Sequence, residues 1–443
     1  MPRCEEPRSG IDRAVSFDID LDWPAGDRSQ GVADIRMAVG RTVFTRLLDE
    51  HEGTRRDYFR ASPLLLGFWF VDNFWRLRWE PLDDPHFPST EWRLRHELSA
   101  ASGDTVLPPF MIYGMGPRVM VAPVTGVEDD GSVIRYLHER PLTMLSDEFE
   151  TGLERFFDAL LRCRDLPDSA AFADLIGQLA RERADDELAG WRRLEACLGY
   201  DPDQAPQAVV EALLGFEERV GEAAIDEAAL ATKGQAAPVA LEAVLEAVEA
   251  SDVVVDFASV QGQIDPATLP GQTPWQAAED AAIALRAALN LGNTVRWADL
   301  GDILQVRWEL LKEATATARH LPFSAKTEGN GSQSRLALAM KPLNDRRFEL
   351  ARMIGDEVWT GGQGFGVISR SRTDRQKFQR AFAQALLCPM EALRNVVDVN
   401  RPTREQIVRA ASRFGVRDSV IVTILRNRGY LPRESMADWL EAA

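Results

Sequence analysis

The stretch DRRFELARMIGDEVW (345–359), with RQKFQRAFAQALLCP (375–389) after it, decides how this chain is read. Each segment reads as a helix, and Pro389 stops the second because proline cannot continue the helical hydrogen-bond ladder. On the first, Arg352 and Asp356 are four residues apart and so share one face, one turn from each other. The glycine-rich TGGQGFG (360–366) lies between the two and reads as a flexible loop. It lacks the Lys-Ser/Thr pair and the strand-to-helix setting of a phosphate-binding loop.

Working outward, WQAAEDAAIALRAALNLG (275–292) and WADLGDILQV (297–306) read as helices, and SRLALAM (334–340) as a strand. On the C-terminal side, REQIVRAASRFGVRDSVIVTILRNRGYLPR (404–433) reads as helix, turn, helix, with the pair itself at 404–430. Ala411 and Gly415 are four apart, Val416 follows the turn, and Val420, Ile421, Ile424 and Leu425 repeat at helical spacing. A second helix of this kind can enter a major groove, where Arg417, Arg426 and Arg428 would contact phosphates or bases. The competing reading is that both helices only pack on the helices before them.

N-terminal to this region, ASVQGQIDPATLPGQTP (258–274) reads as a linker. Before it, residues 146–257 form an acidic helical segment. Ser146 is its expected N-cap, with Asp147 and Glu148 in the first turn, where carboxylates suit the helix dipole. Phe149, Leu153, Phe156, Phe157, Leu160 and Leu161 make an apolar stripe. Tracts rich in Ala, Glu and Leu at 209–231 and 239–250 extend the helical pattern as a connector or bundle.

Residues 1–145 read as an α+β domain of no recognised family. Val15, Phe17, Ile19 and Leu21 alternate as in a half-buried strand, closed by Pro24 and Gly26. PFMIYGMGPRVMVAPV (109–124) reads as two strands around a Gly-Pro turn. In SPLLLGFWFVDNFWRLRWEP (62–81), Trp69, Trp75 and Trp79 interleave with Arg76 and Arg78. Such a pattern can stack nucleobases, but it is read first as a core in which arginine stems lie along aromatic faces. A site in this domain would be built from Asp72, Asn73, Arg76 and Arg78.

Composition narrows the choice. The 443 residues carry 51 Lys and Arg against 69 Asp and Glu, a net charge of −18. From Lys341 to Ala443 there are 18 basic and 12 acidic residues, a local balance of +6 that leaves −24 on the remainder. The acidic body argues against a nucleic-acid coat, while the basic tail suits a phosphate-bearing partner or the protein's own acidic helices. No apolar run is long enough to span a bilayer and the first residues lack an apolar signal core, so a cytoplasmic protein without a membrane partner is expected. Cys4, Cys163, Cys197 and Cys388 are scattered, as reduced thiols would be.

The helix pair at 345–389 resembles the ImmA/IrrE family of zinc-peptidase-like proteins. The family pattern is R-R-F-x-L-A-H-E-x-G-H, followed by a helix reading roughly E-x-x-x-N-x-F-A-A-x-L-L-x-P. Here Arg346, Arg347, Phe348, Leu350 and Ala351 match the first, and Phe382, Ala383, Leu386, Leu387 and Pro389 the second. The resemblance covers about the last 170 residues. It implies a mainly helical, zincin-like domain at 275–433 ending in a helix-turn-helix, within a chain that is α+β as a whole.

The chemistry departs from the pattern. Arg352 and Asp356 stand at the two histidine positions, Met353 at the general base, and Gln376 at the third ligand. Arg repels zinc, Met cannot take a proton from water, and neutral Gln is a poor ligand. His51-Glu52, His96-Glu97 and His138-Glu139 each begin the motif but have Arg55, Ala100 and Leu142 at its last position. Adjacent Asp356 and Glu357 point about 100° apart on a helix, which ill suits a shared cation. The expectation is an Arg352–Asp356 ion pair in place of zinc, with Gln376 hydrogen-bonding across. No catalytic residue, metal or cofactor is expected.

The resemblance therefore implies a pseudo-peptidase that works through a protein partner in stress response, toxin–antitoxin or phage-defence settings. The alternatives are a DNA-binding regulator using Arg417, Arg426 and Arg428, and an enzyme with its site in the N-terminal domain.

Overall fold

The computed structural model describes residues 15–23, 31–84, 88–101, 106–124, 133–163, 166, 168–264, 273–313, 320–327 and 331–433. The chain divides into two compact units, residues 1–78 with 93–186, and residues 79–92 with 187–443. Helices and antiparallel sheets occur together, so the fold is α+β. No helix among the described residues is long and apolar enough to cross a membrane.

The strands of the N-terminal half are β1 (Phe17–Asp22), β2 (Ala33–Val39), β3 (Thr42–Val43), β4 (Leu47–Asp49), β5 (Thr54–Arg56), β6 (Phe59–Ala61), β7 (Phe110–Gly114), β8 (Arg118–Pro123), β9 (Ile134–Tyr136) and β10 (Leu142–Leu145). Its helices are α1 (Pro63–Trp79), α2 (Thr90–His96), α3 (Ser146–Leu161) and α4 (Ser169–Ala184). They make three antiparallel sheets: β1-β2-β3 with β6 on β2, β5-β4-β9, and β10-β8-β7. The alternation at 15–21 produces β1, in which Phe17 is buried and Asp20 and Asp22 are exposed. Pro24 and Gly26 lie outside the described residues. The 109–124 stretch forms the β7–β8 pair, with Tyr113 opposite Met120.

The aromatic stretch at 62–81 becomes α1, and its tryptophans serve the core. Trp69, Phe70, Phe74 and Trp75 are buried, and the Trp75 Nε1 donates to Glu182 Oε2 at 2.9 Å. Helix α3 begins at Ser146 as expected, but Ser146 is not its cap. Leu145 holds the capping position without a side-chain bond, and the Ser146 hydroxyl donates to the Gly116 carbonyl at 2.9 Å. The apolar stripe of α3 is buried, and Gly152 lies so close to Phe17 that a Cβ would strike the Phe17 carbonyl. This close packing on β1 draws α3 and α4 into the first unit. The division therefore falls near residue 186, not at the expected 145.

The second unit contains α5 (Asp186–Leu198), α6 (Gln207–Leu214), α7 (Glu217–Val220), α8 (Glu222–Thr232) and α9 (Ala237–Glu249), then β11 (Val254–Asp256). Next come α10 (Pro274–Ala288), α11 (Trp297–Ile303), α12 (Trp308–Glu313), β12 (Ser324–Lys326) and β13 (Gln333–Ala337). It ends with α13 (Leu343–Thr360), β14 (Gly366–Ile368), α14 (Asp374–Leu387), α15 (Met390–Arg394), α16 (Arg404–Phe414) and α17 (Asp418–Asn427). Its sheet has the order β11-β13-β12-β14, antiparallel throughout.

The acidic helices are not a separate connector. Leu213, Ile225 and Val244 share one core with Ala325, Ala337 and Val367 of the sheet, which places α6 to α9 in this unit. A second core is shared by α10, α13, α14, α16 and α17. Within the expected 258–274 linker, residues 265–272 lie outside the described residues, and Gln261 is tied to Glu357 by a 2.7 Å hydrogen bond. The TGGQGFG segment does turn the chain between α13 and α14. Gly361 takes the left-handed conformation that ends α13 at φ 64°, where a side chain would be strained. Its last residue, Gly366, opens the unexpected edge strand β14.

Candidate functional site

The two helices that decided the reading face each other across a buried polar network. Helix α13 contributes Glu349, Arg352, Asp356 and Glu357, and α14 contributes Arg375, Gln376 and Gln379. Lys326 comes from β12, and Glu227 from α8. All except Arg352, which is half-buried, are at most 9% exposed.

Asp356 is at the centre. Arg375 grips it with two parallel bonds, Nε to Oδ1 at 2.7 Å and Nη2 to Oδ2 at 3.0 Å. Gln379 Nε2 also donates to Oδ1 at 2.7 Å, and Lys326 Nζ stands 3.7 Å from Oδ2. Burial works to raise the Asp356 pKa, but the Arg375 and Lys326 charges and these bonds outweigh it and hold the group below the ordinary carboxylate range. Arg375 is raised in turn, because the Asp356 charge outweighs the burial that acts to lower it. Lys326 Nζ also bonds Glu357 Oε2 at 2.8 Å.

The expected Arg352–Asp356 pair does not form. Arg352 Nη2 donates instead to the Ser369 carbonyl at 2.7 Å, Gln376 Oε1 at 2.6 Å and Gln379 Oε1 at 3.1 Å. The reason is competition, since Arg375 already occupies both oxygens of Asp356 with bidentate geometry. Gln379 links the two halves, accepting from Arg352 and donating to Asp356. Gln376 does bond across the helices as expected. It also accepts from the Ser369 amide at 3.0 Å and donates to the Val367 carbonyl at 2.8 Å. Burial draws the Arg352 pKa down to about 10. Met353 points into the apolar core and is fully buried.

Two carboxylates at the edges of this network are pushed up by burial. Glu349 is raised to about 7; its Oε1 accepts from the Ser324 hydroxyl and the Ala339 and Met340 amides, while Oε2 has no partner among the described residues. Glu227 is raised as well, accepting from Thr373 Oγ1 at 2.5 Å.

These residues do not suit a zinc ion. Asp356 is the one ligand-capable group among the four family positions, and a guanidinium and an ammonium already claim it. Among the described residues, no three His, Cys, Asp or Glu side chains gather as a cation site. The arrangement instead braces α13, α14, the sheet and α8 through buried charge-assisted bonds. Sequence reading missed Arg375, Gln379, Lys326 and Glu227. Gln379 could have been found, since it lies three residues from Gln376 on the same helical face. Lys326 and Glu227 carry no local signal.

The other expected sites lie at α17 and in α1. Arg417 pairs with both oxygens of Asp345, and Arg428 pairs with Glu279, so these two cations are engaged within their own unit. Arg426 is half-buried in the last turn of α17. In α1, Asp72 is exposed, whereas Asn73 is buried and donates to the Trp69 carbonyl at 2.8 Å. Arg76 is buried, and Arg78 bonds Glu150 at 2.7 Å and the Gly116 carbonyl at 2.8 Å. Cys388 is buried in the core, which pushes its thiol up to about 12.

No protein-family model, curated protein or solved structure matches this chain.

Proposed function

We propose that this protein is a non-catalytic regulator or scaffold of the ImmA/IrrE type, acting through a protein partner. The observation that carries the reading is the Arg375–Asp356–Gln379–Arg352 chain of bonds. It includes Arg352 and Asp356, which stand at two of the positions where the resembled family holds zinc, and it joins the same two helices that the metal would join. A pseudo-peptidase that keeps such a helix pair without its chemistry can serve as a sensor or docking body, in settings such as stress response, toxin–antitoxin control or phage defence.

Four measurements test this reading together. Purified protein should contain no stoichiometric zinc, keep its melting temperature in chelator, and leave unfolded protein substrates uncut with or without added zinc. Affinity purification from the native host should return one stoichiometric protein. Zinc-dependent cleavage would overturn the proposal.

DNA binding through α16 and α17 remains the second reading, favoured by the +6 balance of the last 103 residues. It has less support because Arg417 and Arg428 are already paired with carboxylates. A duplex shift with steep salt dependence, lost on charge reversal at Arg426 and Arg428, would establish it.

A further inference from the structure

Beside the buried network, on the Arg352 side, lies a cavity of about 360 Å³ between α13, α14, α17 and the start of α10. Among the described residues, five cationic side chains line it, Arg352, Arg370, Arg372, Lys377 and Arg380, and no carboxylate does. In a chain of net charge −18, this is a local concentration of one sign at short range. A concave wall focuses the field of such charges on whatever enters.

The cavity has two further qualities of a ligand site. One cation is held rigidly, because Arg352 Nη2 is fixed by Ser369, Gln376 and Gln379. Its Nε is buried with no hydrogen-bond partner among the described residues. A donor positioned in advance loses little entropy on binding. The opposite wall is α17, whose Ser419, Thr423 and Asn427 recur at four-residue spacing along one polar face. At the rim stands Trp275, 40% exposed, an apolar plate of the kind on which flat rings stack.

We propose that this cavity binds a small phosphorylated ligand of the nucleotide class, with its phosphates on Arg370, Arg372, Lys377 and Arg380 and its base against Trp275. Guanidinium groups suit phosphate oxygens because their forked N–H donors match them in pairs. The volume is at the small end of the roughly 300–1,000 Å³ of ligand pockets, which suits a mononucleotide and is far too narrow for a duplex. The polar face of α17 turns into this cavity, so its donors meet a small ligand instead of a groove. The inference stands on the cavity alone and goes beyond the scaffold reading.

The test is calorimetric titration of the full chain with ATP, GTP, pyrophosphate and adenosine, with tryptophan emission followed in parallel. At least one nucleotide should bind saturably, weaken with added salt, and quench emission. Adenosine should not bind. The double variant Arg370→Ala/Arg372→Ala, made at exposed and half-buried positions, should melt like the parent and weaken nucleotide binding by about ten-fold or more. Trp275→Ala should weaken the nucleotide several-fold and leave pyrophosphate unchanged. The proposal fails if neither nucleotide nor pyrophosphate binds at about 1 mM, or if the double variant binds as the parent does. It fails also if duplex DNA binds more tightly than nucleotide through the same two arginines, which would assign the surface to nucleic acid.

Discussion

Arg375 holds the buried carboxylate of Asp356 by two parallel hydrogen bonds, 2.7 and 3.0 Å long, and these join α14 to α13. Removing one partner leaves the other charged in a place without water. Arg375→Met leaves Asp356 with Gln379 and a Lys326 ammonium 3.7 Å away, and should cost about 3–5 kcal/mol. The double variant Asp356→Leu/Arg375→Met removes both charges and should recover much of that loss, since burying an ion pair is itself costly. Urea unfolding of the four proteins of this cycle measures the coupling. A loss below about 1 kcal/mol in Arg375→Met would mean that the pair does not brace the helices.

Glu349 sets a pH dependence of the opposite sense to that of Asp356. Its folded pKa is raised to about 7 from 4.5, so between those values the native state binds a proton that the unfolded chain has lost. Stability from this group is fully present below pH 4.5 and is lost as pH rises towards 7. The slope is at most about 1.4 kcal/mol per pH unit for one group. Asp226, raised to about 6, acts in the same direction. Asp356 is depressed, so its contribution is retained at neutral pH and lost only as pH falls through its folded value. Melting temperature should therefore fall from pH 5 to pH 7.5, and Glu349→Gln should flatten that fall. An equal decline in the variant would remove Glu349 as the cause.

What the sequence revealed about this site was local, and what it concealed was long-range. Period and proline placed Arg352 and Asp356 on one helix and Gln376 on the next; that the two helices face each other was what the family resemblance implied. The partner of Asp356 could not be chosen that way. Arg352, one turn away, was the nearest candidate by sequence, but Arg375 reaches the same carboxylate from another helix with better geometry. Lys326 and Glu227 arrive from elements 30 and 129 residues from Asp356. The N-terminal boundary failed for a related reason. The pattern switches to helical at 146, but α3 packs on β1, so a change of secondary structure was not a change of unit.

Gly366 tests how tightly β14 closes over the network. A Cβ there would sit 2.5 Å from Lys326 Cγ and 2.6 Å from Asp356 Oδ2. Gly366→Ala must push aside the two charged groups that the site depends on, and should cost about 1–3 kcal/mol. Gly177, inside α4, is the control. Among the described residues, nothing lies within 4 Å of its added Cβ, so Gly177→Ala should stabilise the chain by about 0.5–1 kcal/mol through helix propensity. Thermal melts of both variants provide the comparison. Equal effects at the two positions would show that crowding at Gly366 is relieved without loss.

Gln376 occupies the position where the resembled family has a glutamate, so Gln376→Glu restores the carboxylate. It should not restore a site. The Oε1 of Gln376 accepts from Arg352 and the Ser369 amide, which a carboxylate can also do. Its Nε2, however, donates to the Val367 carbonyl at 2.8 Å. A carboxylate oxygen placed there would oppose another acceptor in a fully buried setting, at a cost of about 1–3 kcal/mol. The Arg352 guanidinium offsets part of this through charge. Protonation would let the new carboxyl donate to Val367 again, so its folded pKa should rise. The deficit should then shrink as pH falls from 7 towards 5. Chemical unfolding of parent and variant at both pH values measures it. A variant equal in stability to the parent at pH 7, or one that gains stability with added zinc, would show that the position still accepts an ionised ligand.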